Sequence, residues 1–448
     1  MNFVDACRKL ISIDTTPGQS IVECTNFLNQ LATQKGLKVE IQSEFEGDLE
    51  QANIIIRPME GKPALEFLLQ NHLDTVDPGP FQLWNQTGHN PFDAVIKENK
   101  IYGLGSADVK LDFLCKLEAL ASFTSIESWK LPPVLVGTYS EESGMLGALK
   151  LIRRQKVNAK MAIIGEPSHL QLISAAKGFA SIEIKLPFSP EEMQYKKDHN
   201  MRESTSTQSR IFKGKSAHSS TPHLGENAIM KLLSYLNDLP DGMAILEIDG
   251  GTNYNTVPSH AMLELDFVSY LKNPIKQKLL HLFESIQSLE KDFEHLKDPE
   301  FTPPSPTLNI GFIRTLEDHI LISGNCRIPP IVTQSVYEKW MRQFQVSCEK
   351  IGGEFRVTDY KKPYRTQPES ILIKGCLDEL NHLGVKADCV TQSSTNEASL
   401  FSRTGIDCVC FGPGVRDGNI HTPNEHVSID DLEMATAFYK KIIERFCL

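Results

Sequence analysis

The chain contains no Cys-x-x-Cys pair and no cysteine-dense segment, although ten cysteines are spread along its 448 residues. Thiolate zinc sites and disulfide scaffolds both need clustered cysteines, so neither is expected. The cysteines read as small buried hydrophobes in a reducing compartment. No apolar run approaches the ~18 residues that a membrane span needs. Residues 1–14, MNFVDACRKLISID, carry Asp5, Arg8, Lys9 and Asp14 and lack the apolar core of a signal peptide. A cytoplasmic protein without membrane contact is the expectation. A basic surplus is absent too: 46 Lys and Arg face 57 Asp and Glu, for a formal charge of −11. Nucleic-acid backbones recruit positive charge, so a nucleic-acid partner is not expected. No internal repeat is evident, which argues against a solenoid. What is present is ordinary globular composition, 40% hydrophobic and 23% charged. The length allows two to four domains at about 100–200 residues each.

The outer parts of the chain alternate helix and strand. Helical spacing marks residues 3–13 (Val4, Cys7, Leu10, Ile11) and 20–34 (Ile21, Cys24, Leu28, Leu31). Short runs rich in Ile, Val and Leu at 52–57, 65–69, 134–139 and 161–165 suit strands buried on both faces. Helices are expected at 110–122 and 143–154. This is α/β texture, with a mainly parallel sheet covered by helices. After about residue 174 the texture changes. Strands near 180–185, 244–248, 261–268, 308–312, 320–327 and 354–359 accompany helices at 225–239, 274–289 and 332–349. Residues 187–209 are polar, end in ESTSTQS, and read as a mobile insertion. From about residue 362 the α/β texture returns. The division expected is therefore 1–173 and 362–448 as one discontinuous catalytic domain, with an α+β domain inserted at 174–361.

The residues capable of chemistry fall mostly in the outer segments. His72 and Asp74 sit in NHLDTVD after an apolar run. Asp108 precedes a helix in GSADVK. Glu141 and Glu142 follow a strand in TYSEESG, Glu166 follows another in AIIGEPS, and His421 lies in GNIHTPNEH. In open α/β sheets, ligands bind outside the carboxyl ends of strands. Carboxylates gathered there repel one another, and divalent cations relieve that repulsion. Imidazole with carboxylate and no thiolate favours catalytic zinc, with cobalt or manganese as alternatives. Each residue taken singly also fits a plain role as a turn residue, cap or helix-terminal charge.

Together, HLDTVD, YGLGSADVK, SEESG, IIGEPS, AAKG, GKSAHSSTPHLGENAI, PTLNIG, FGPG and HTPNEH resemble the zinc-dependent acetylornithine deacetylase and succinyl-diaminopimelate desuccinylase family. Aminoacylases and some carboxypeptidases are relatives. Their order from residue 72 to 426 is the family's order, and STNEASLF is most similar to the acetylornithine deacetylases. The resemblance implies two metal ions, one on His72, Asp108 and Glu166, the other on Glu142 and His421, with Asp108 bridging. It implies that Glu141 is the general base and that Asp74 accepts a hydrogen bond from His72. The sequence alone does not say which glutamate of the pair binds metal. His218, in the inserted lid, is implied as an oxyanion donor reaching over from a dimer partner. Arg327 in GNCRIPP and Asn255 in GGTNYNTVP are implied substrate contacts. The implied activity is release of an acyl group, acetate first, from an N-acyl amino acid such as N-acetylornithine. Desuccinylation and short-peptide hydrolysis are the alternatives. Three departures stand out: Leu111 replaces a usual Gly, Asn396–Glu397 lengthens a motif by one residue, and no Gly-Gly and Asn follow PTLNIG.

Overall fold

The computed structural model describes residues 1–58, 62–200, 208–240, 243–267 and 274–448. The chain divides into two compact units. One comprises Met1–Ala175, Tyr364–Thr391 and Asn396–Leu448; the other comprises Ala176–Pro363 and Gln392–Thr395.

The first unit is built on a nine-stranded mixed sheet. Its centre is parallel: Glu66–His72 lies between Pro133–Thr138 and Ala159–Gly165, and Asp407–Phe411 continues beside the latter. These strands are buried almost throughout, as the unbroken apolar runs require. The margin is antiparallel, where Lys38–Glu46 pairs with Leu49–Arg57 and the latter pairs with Pro133–Thr138. The short run at 52–57 therefore belongs to an antiparallel strand. Helices cover the sheet, among them Lys110–Ala121 and the C-terminal Ile429–Cys447. The C-terminal helix is not among the elements expected from the sequence, yet its pattern is regular. It buries Leu432, Ala435, Phe438, Tyr439, Ile442, Ile443 and Phe446 along one face. That is three- and four-residue spacing. Phe438 and Phe446 pack on Phe411 and Phe67, with ring centroids 4.3 and 5.5 Å apart. Burial of each large side chain contributes about 1.5–3 kcal/mol.

A buried polar network ties the helix Lys110–Ala121 to the strand that ends at His72. Asp112 accepts from the Asn71 amide at 2.9 Å and the Tyr439 hydroxyl at 2.8 Å. Lys116 pairs with Asp112 at 3.0 Å and donates to the Gln70 carbonyl and Asn71 Oδ1 at 2.9 and 2.8 Å. Both charges are at most 1% exposed. Removing one partner of such a pair leaves the other buried and uncompensated. Asp112→Ala should therefore destabilise the protein by about 3–5 kcal/mol in denaturant unfolding, and an unchanged midpoint would contradict this account.

The second unit carries a separate seven-stranded antiparallel sheet. Helices Ala228–Tyr235, Pro274–Glu294 and Gln334–Lys350 supply the apolar residues that complete its core. The polar stretch 187–209 differs from the sequence expectation. Residues Pro190–Asn200 form a helix, and 201–207 lie outside the described residues. Ser189 and Glu192 form a reciprocal capping box: the Ser189 amide donates to the Glu192 carboxylate at 2.8 Å, and the Glu192 amide donates to Ser189 Oγ at 3.2 Å. Tyr195 is buried and its hydroxyl donates to Asp266 at 2.6 Å. One buried aromatic ring and a cap outweigh the polar composition.

Nine of the ten cysteines are buried and all are free. Among the described residues, no helix is long and apolar enough to cross a membrane.

Candidate metal centre

The parallel strands bring the outer motifs to one edge of the sheet. His72 is the last residue of Glu66–His72, and Glu166 directly follows Ala159–Gly165. Glu141 and Glu142 lie in the turn after Pro133–Thr138, and Asp108 lies just before the helix Lys110–Ala121. His421 arrives on the long loop after Asp407–Phe411, with a left-handed backbone (φ 57°).

Two donor groups result: His72, Glu141 and Glu142, and Asp108, Glu142 and His421. Asp108 links them. Its Oδ1 lies 3.2 Å from His72 Nε2, and its Oδ2 lies 3.1 Å from His421 Nε2. Glu142 Oε1 lies 3.1 Å from the same His421 nitrogen. Glu142 belongs to both groups and Glu141 to one. Glu166 enters neither; it is 6% exposed, and Arg416 lies 3.6 Å from its carboxylate.

The electrostatics follow from this crowding. Burial works against the charged forms of His72 and His421. For His72 the Asp108 carboxylate outweighs it and holds the imidazolium well above its usual range. For His421, Glu142 and Asp108 outweigh it and lift the pKa to about 11. Asp108 is likewise buried, but hydrogen bonds from both imidazoles hold its carboxyl well below the usual range. Burial pushes Glu141 well above the usual carboxylate range, and the neighbouring Glu142, Glu166 and Glu397 add to the rise. Burial raises the proton affinity of Asp74, Glu397 and Glu425 as well, so Glu141 is one of several such carboxylates around this edge.

Asp74 acts differently from the expectation. His72 Nδ1 lies 3.0 Å from the Asp74 backbone carbonyl and 3.7 Å from its carboxylate. The carboxylate oxygens instead accept from the backbone N–H groups of Glu141 and Glu142, at 3.0 and 3.1 Å. Asp74 orients the ring through its main chain and clamps the glutamate turn through its side chain. Two short backbone donors win because they present fixed N–H groups at the tip of that turn.

Glu425 was missed by sequence reasoning. It is 1% exposed and accepts from the backbone amides of Gly105, Ala107 and Asp108, at 3.1, 2.8 and 3.0 Å. It therefore pins the loop that presents Asp108. Its only sequence signal is an acid inside HTPNEH, where a solvated loop charge reads the same way.

The remaining sequence candidates lie in the second unit, where the structure gathers them around Ser219. The exposed His218 precedes it, and its Nδ1 lies 2.7 Å from Ser220 Oγ. Ser219 N–H donates to the Asn255 carbonyl at 2.9 Å, and Arg327 donates to Ser219 Oγ at 3.3 Å. The Arg327 guanidinium also lies 4.7 Å from the centre of the Phe179 ring. Asn325, two residues before Arg327 on the same strand, was missed. It is fully buried, and its side-chain amide donates to Asn255 Oδ1 at 3.4 Å.

Imidazole and carboxylate donors without thiolate match a borderline divalent cation. The arrangement also fits on charge, because protons on the two imidazoles now do what a cation would do among Asp108, Glu141 and Glu142. Ligating imidazoles must lose those protons. Adding a divalent metal to stripped protein should therefore release protons, and metal affinity should rise with pH. Calorimetry in buffers of different ionisation enthalpy measures the release; an affinity that is flat between roughly pH 6 and 9 would exclude imidazole ligation.

Comparison with known proteins fits this geometry. The profile of Peptidase family M20/M25/M40 matches residues 68–445, a segment that contains both donor groups. An acetylornithine deacetylase of Pectobacterium atrosepticum is 26% identical over 461 aligned residues, covering 99% of this chain and 98% of its own. One from Pectobacterium carotovorum is 25% identical with the same coverage. Among solved structures, the M20 family metallo-carboxypeptidase Sso-CP2 of Sulfolobus solfataricus gives a TM-score of 0.64 at 17% identity, with 100% of this chain and 99% of that one covered. The aminoacylhistidine dipeptidase of Vibrio alginolyticus gives 0.63 at 16%, with 99% and 96% covered. At these identities the structural likeness concerns the fold. The chain belongs to Peptidase family M20/M25/M40 and is a metallo-hydrolase of that family.

Proposed function

We propose that the protein is a two-metal amidohydrolase that removes the acetyl group from an N-acyl amino acid such as N-acetylornithine. Zinc is the expected metal, with cobalt as a substitute. The observation that carries the hydrolytic reading is the single buried carboxylate of Asp108 shared between His72 and His421, with the glutamate pair alongside. The substrate reading is supported by the relatives named acetylornithine deacetylase, which align over the whole chain.

His72, Asp108 and Glu166 would hold one metal, and Asp108, Glu142 and His421 the other. Bound divalent cations acidify water and polarise an amide carbonyl. Glu141 takes the proton of the attacking water and delivers it to the leaving amine. Asp74 keeps Glu141 and Glu142 in place through their backbone amides. In this reading His218, from a dimer partner, donates to the developing oxyanion. Arg327 grips the substrate carboxylate, and Asn255 adds a polar contact. The protein would act as a cytoplasmic homodimer paired through the inserted domain.

Purified protein loaded with zinc or cobalt should hydrolyse N-acetylornithine faster than N-succinyl-diaminopimelate or dipeptides. A preference for dipeptides would transfer the assignment to a peptidase, and inertness towards all three would overturn it. Arg327→Lys should raise KM by roughly 10-fold or more with a smaller change in kcat, because a bidentate charged contact is lost. A pure kcat effect would contradict substrate gripping.

A further inference from the structure

Asn71 is fully buried and directly precedes His72. Both ends of its side-chain amide are committed. Oδ1 accepts from Lys116 Nζ at 2.8 Å. Nδ2 donates to Asp112 Oδ2 at 2.9 Å and to the Val109 backbone carbonyl at 3.2 Å. A reversed amide would set N–H against the lysine donors and oxygen against two oxygens, so one orientation is fixed. The same amide rests on Gly165. A Cβ at that position would lie 2.1 Å from Asn71 Nδ2, far inside contact distance. The missing side chain of Gly165 is what makes room for the amide. The parallel register, with Gln70 opposite Ile164, brings the two residues side by side.

These contacts reach three separate segments, and each segment carries one donor at the adjacent position. His72 follows Asn71, Asp108 precedes Val109, and Glu166 follows Gly165. Glu142 and His421 are held differently. Asp74 clamps the turn of Glu142 through its backbone amide, and His421 lies on the loop after Asp407–Phe411. Metal–ligand distances tolerate only about 0.2 Å, so ligands drawn from distant segments need a rigid spacer. A buried amide with partners at both ends is such a spacer, because satisfied polar networks rigidify their surroundings.

We propose that Asn71 is a positioning residue that sets the spacing of His72, Asp108 and Glu166, and so tunes the affinity of the metal they hold more than that of the other. The inference rests on the two-metal reading of the site. Asn71 acts through the main chain beside each ligand, not by ligation. A purely structural role would weaken both metals alike.

The test isolates one metal at a time in the full chain. A His421→Ala background leaves the metal on His72, Asp108 and Glu166; a His72→Ala background leaves the metal on Asp108, Glu142 and His421. Zinc affinity of the stripped proteins is measured by competition with a chromophoric chelator. Wild type should take up two equivalents. Asn71→Ala should weaken zinc roughly 10–100-fold in the His421→Ala background, and far less in the His72→Ala background. Gly165→Ala keeps every hydrogen-bonding group but crowds the amide, and it should show the same selectivity. Asn71→Ser keeps a hydroxyl donor and carries the comparison if Asn71→Ala does not fold. Phe446→Leu loosens the core against Phe67, at the opposite end of the His72 strand. It should lower the unfolding midpoint and leave both affinities unchanged. Equal weakening in both backgrounds, weakening by Phe446→Leu as well, or unchanged affinity in the Asn71 variants would each overturn the inference. A wild type that binds a single equivalent would overturn the two-metal reading itself, and this inference with it.

Discussion

Glu141→Ala should lower kcat by roughly 10²–10⁴-fold, the usual contribution of a positioned general base, while leaving the divalent metal content unchanged. The asymmetry within the glutamate pair motivates this expectation. Glu142 belongs to both donor groups and meets His421, whereas Glu141 belongs to one. Burial and the charges of Glu142, Glu166 and Glu397 raise the proton affinity of Glu141. A base that must take a proton and hold it until the amine leaves benefits from that rise. Metal analysis beside steady-state kinetics separates the two roles. Loss of metal with loss of activity would make Glu141 a ligand instead, and wild-type turnover would remove it from the chemistry.

Asp108→Ala should have the second large effect. Its two carboxylate oxygens meet two different imidazoles, at 3.2 and 3.1 Å. Glu142 also belongs to both donor groups, and it meets His421 at 3.1 Å. Losing an outer-sphere partner of a metal commonly costs 10–100-fold in affinity; losing this carboxylate should cost more. Metal per chain should fall at a fixed free-metal concentration, and activity should fall with it. The imidazoles would also lose the charge that holds their protons, so their pKa values should drop, as NMR titration of stripped protein would detect. Full metal retention would sink the bridging role.

Much of the site was legible before the fold because its carriers are strand ends. An apolar run followed at once by His72 or Glu166 places those residues at a sheet edge without any knowledge of the neighbours. Other roles were not legible, for a shared reason. Asp74 could pair with an imidazole or with backbone amides, and only the distance to the Glu141 turn selects the amides. Glu425 and Asn325 look like solvated polar residues until distant segments bury them. The helices Pro190–Asn200 and Ile429–Cys447 are a different case. Their signals, Ser189 with Glu192 and the Leu432 to Phe446 stripe, were present in the sequence, and polar composition around the first obscured it.

The sequence by itself determined the α/β texture, its interruption by an α+β layer, and the resemblance carried by ordered motifs. Local pattern suffices there, because burial on two faces, helical periodicity and strand-end chemistry each act over a few residues. Tertiary structure alone decided how the donors share their charges. It set Asp108 between two imidazoles and turned Asp74 towards backbone amides. Those outcomes depend on a few ångströms between residues from 36 to 313 positions apart, and electrostatic and hydrogen-bond strengths change steeply over such distances.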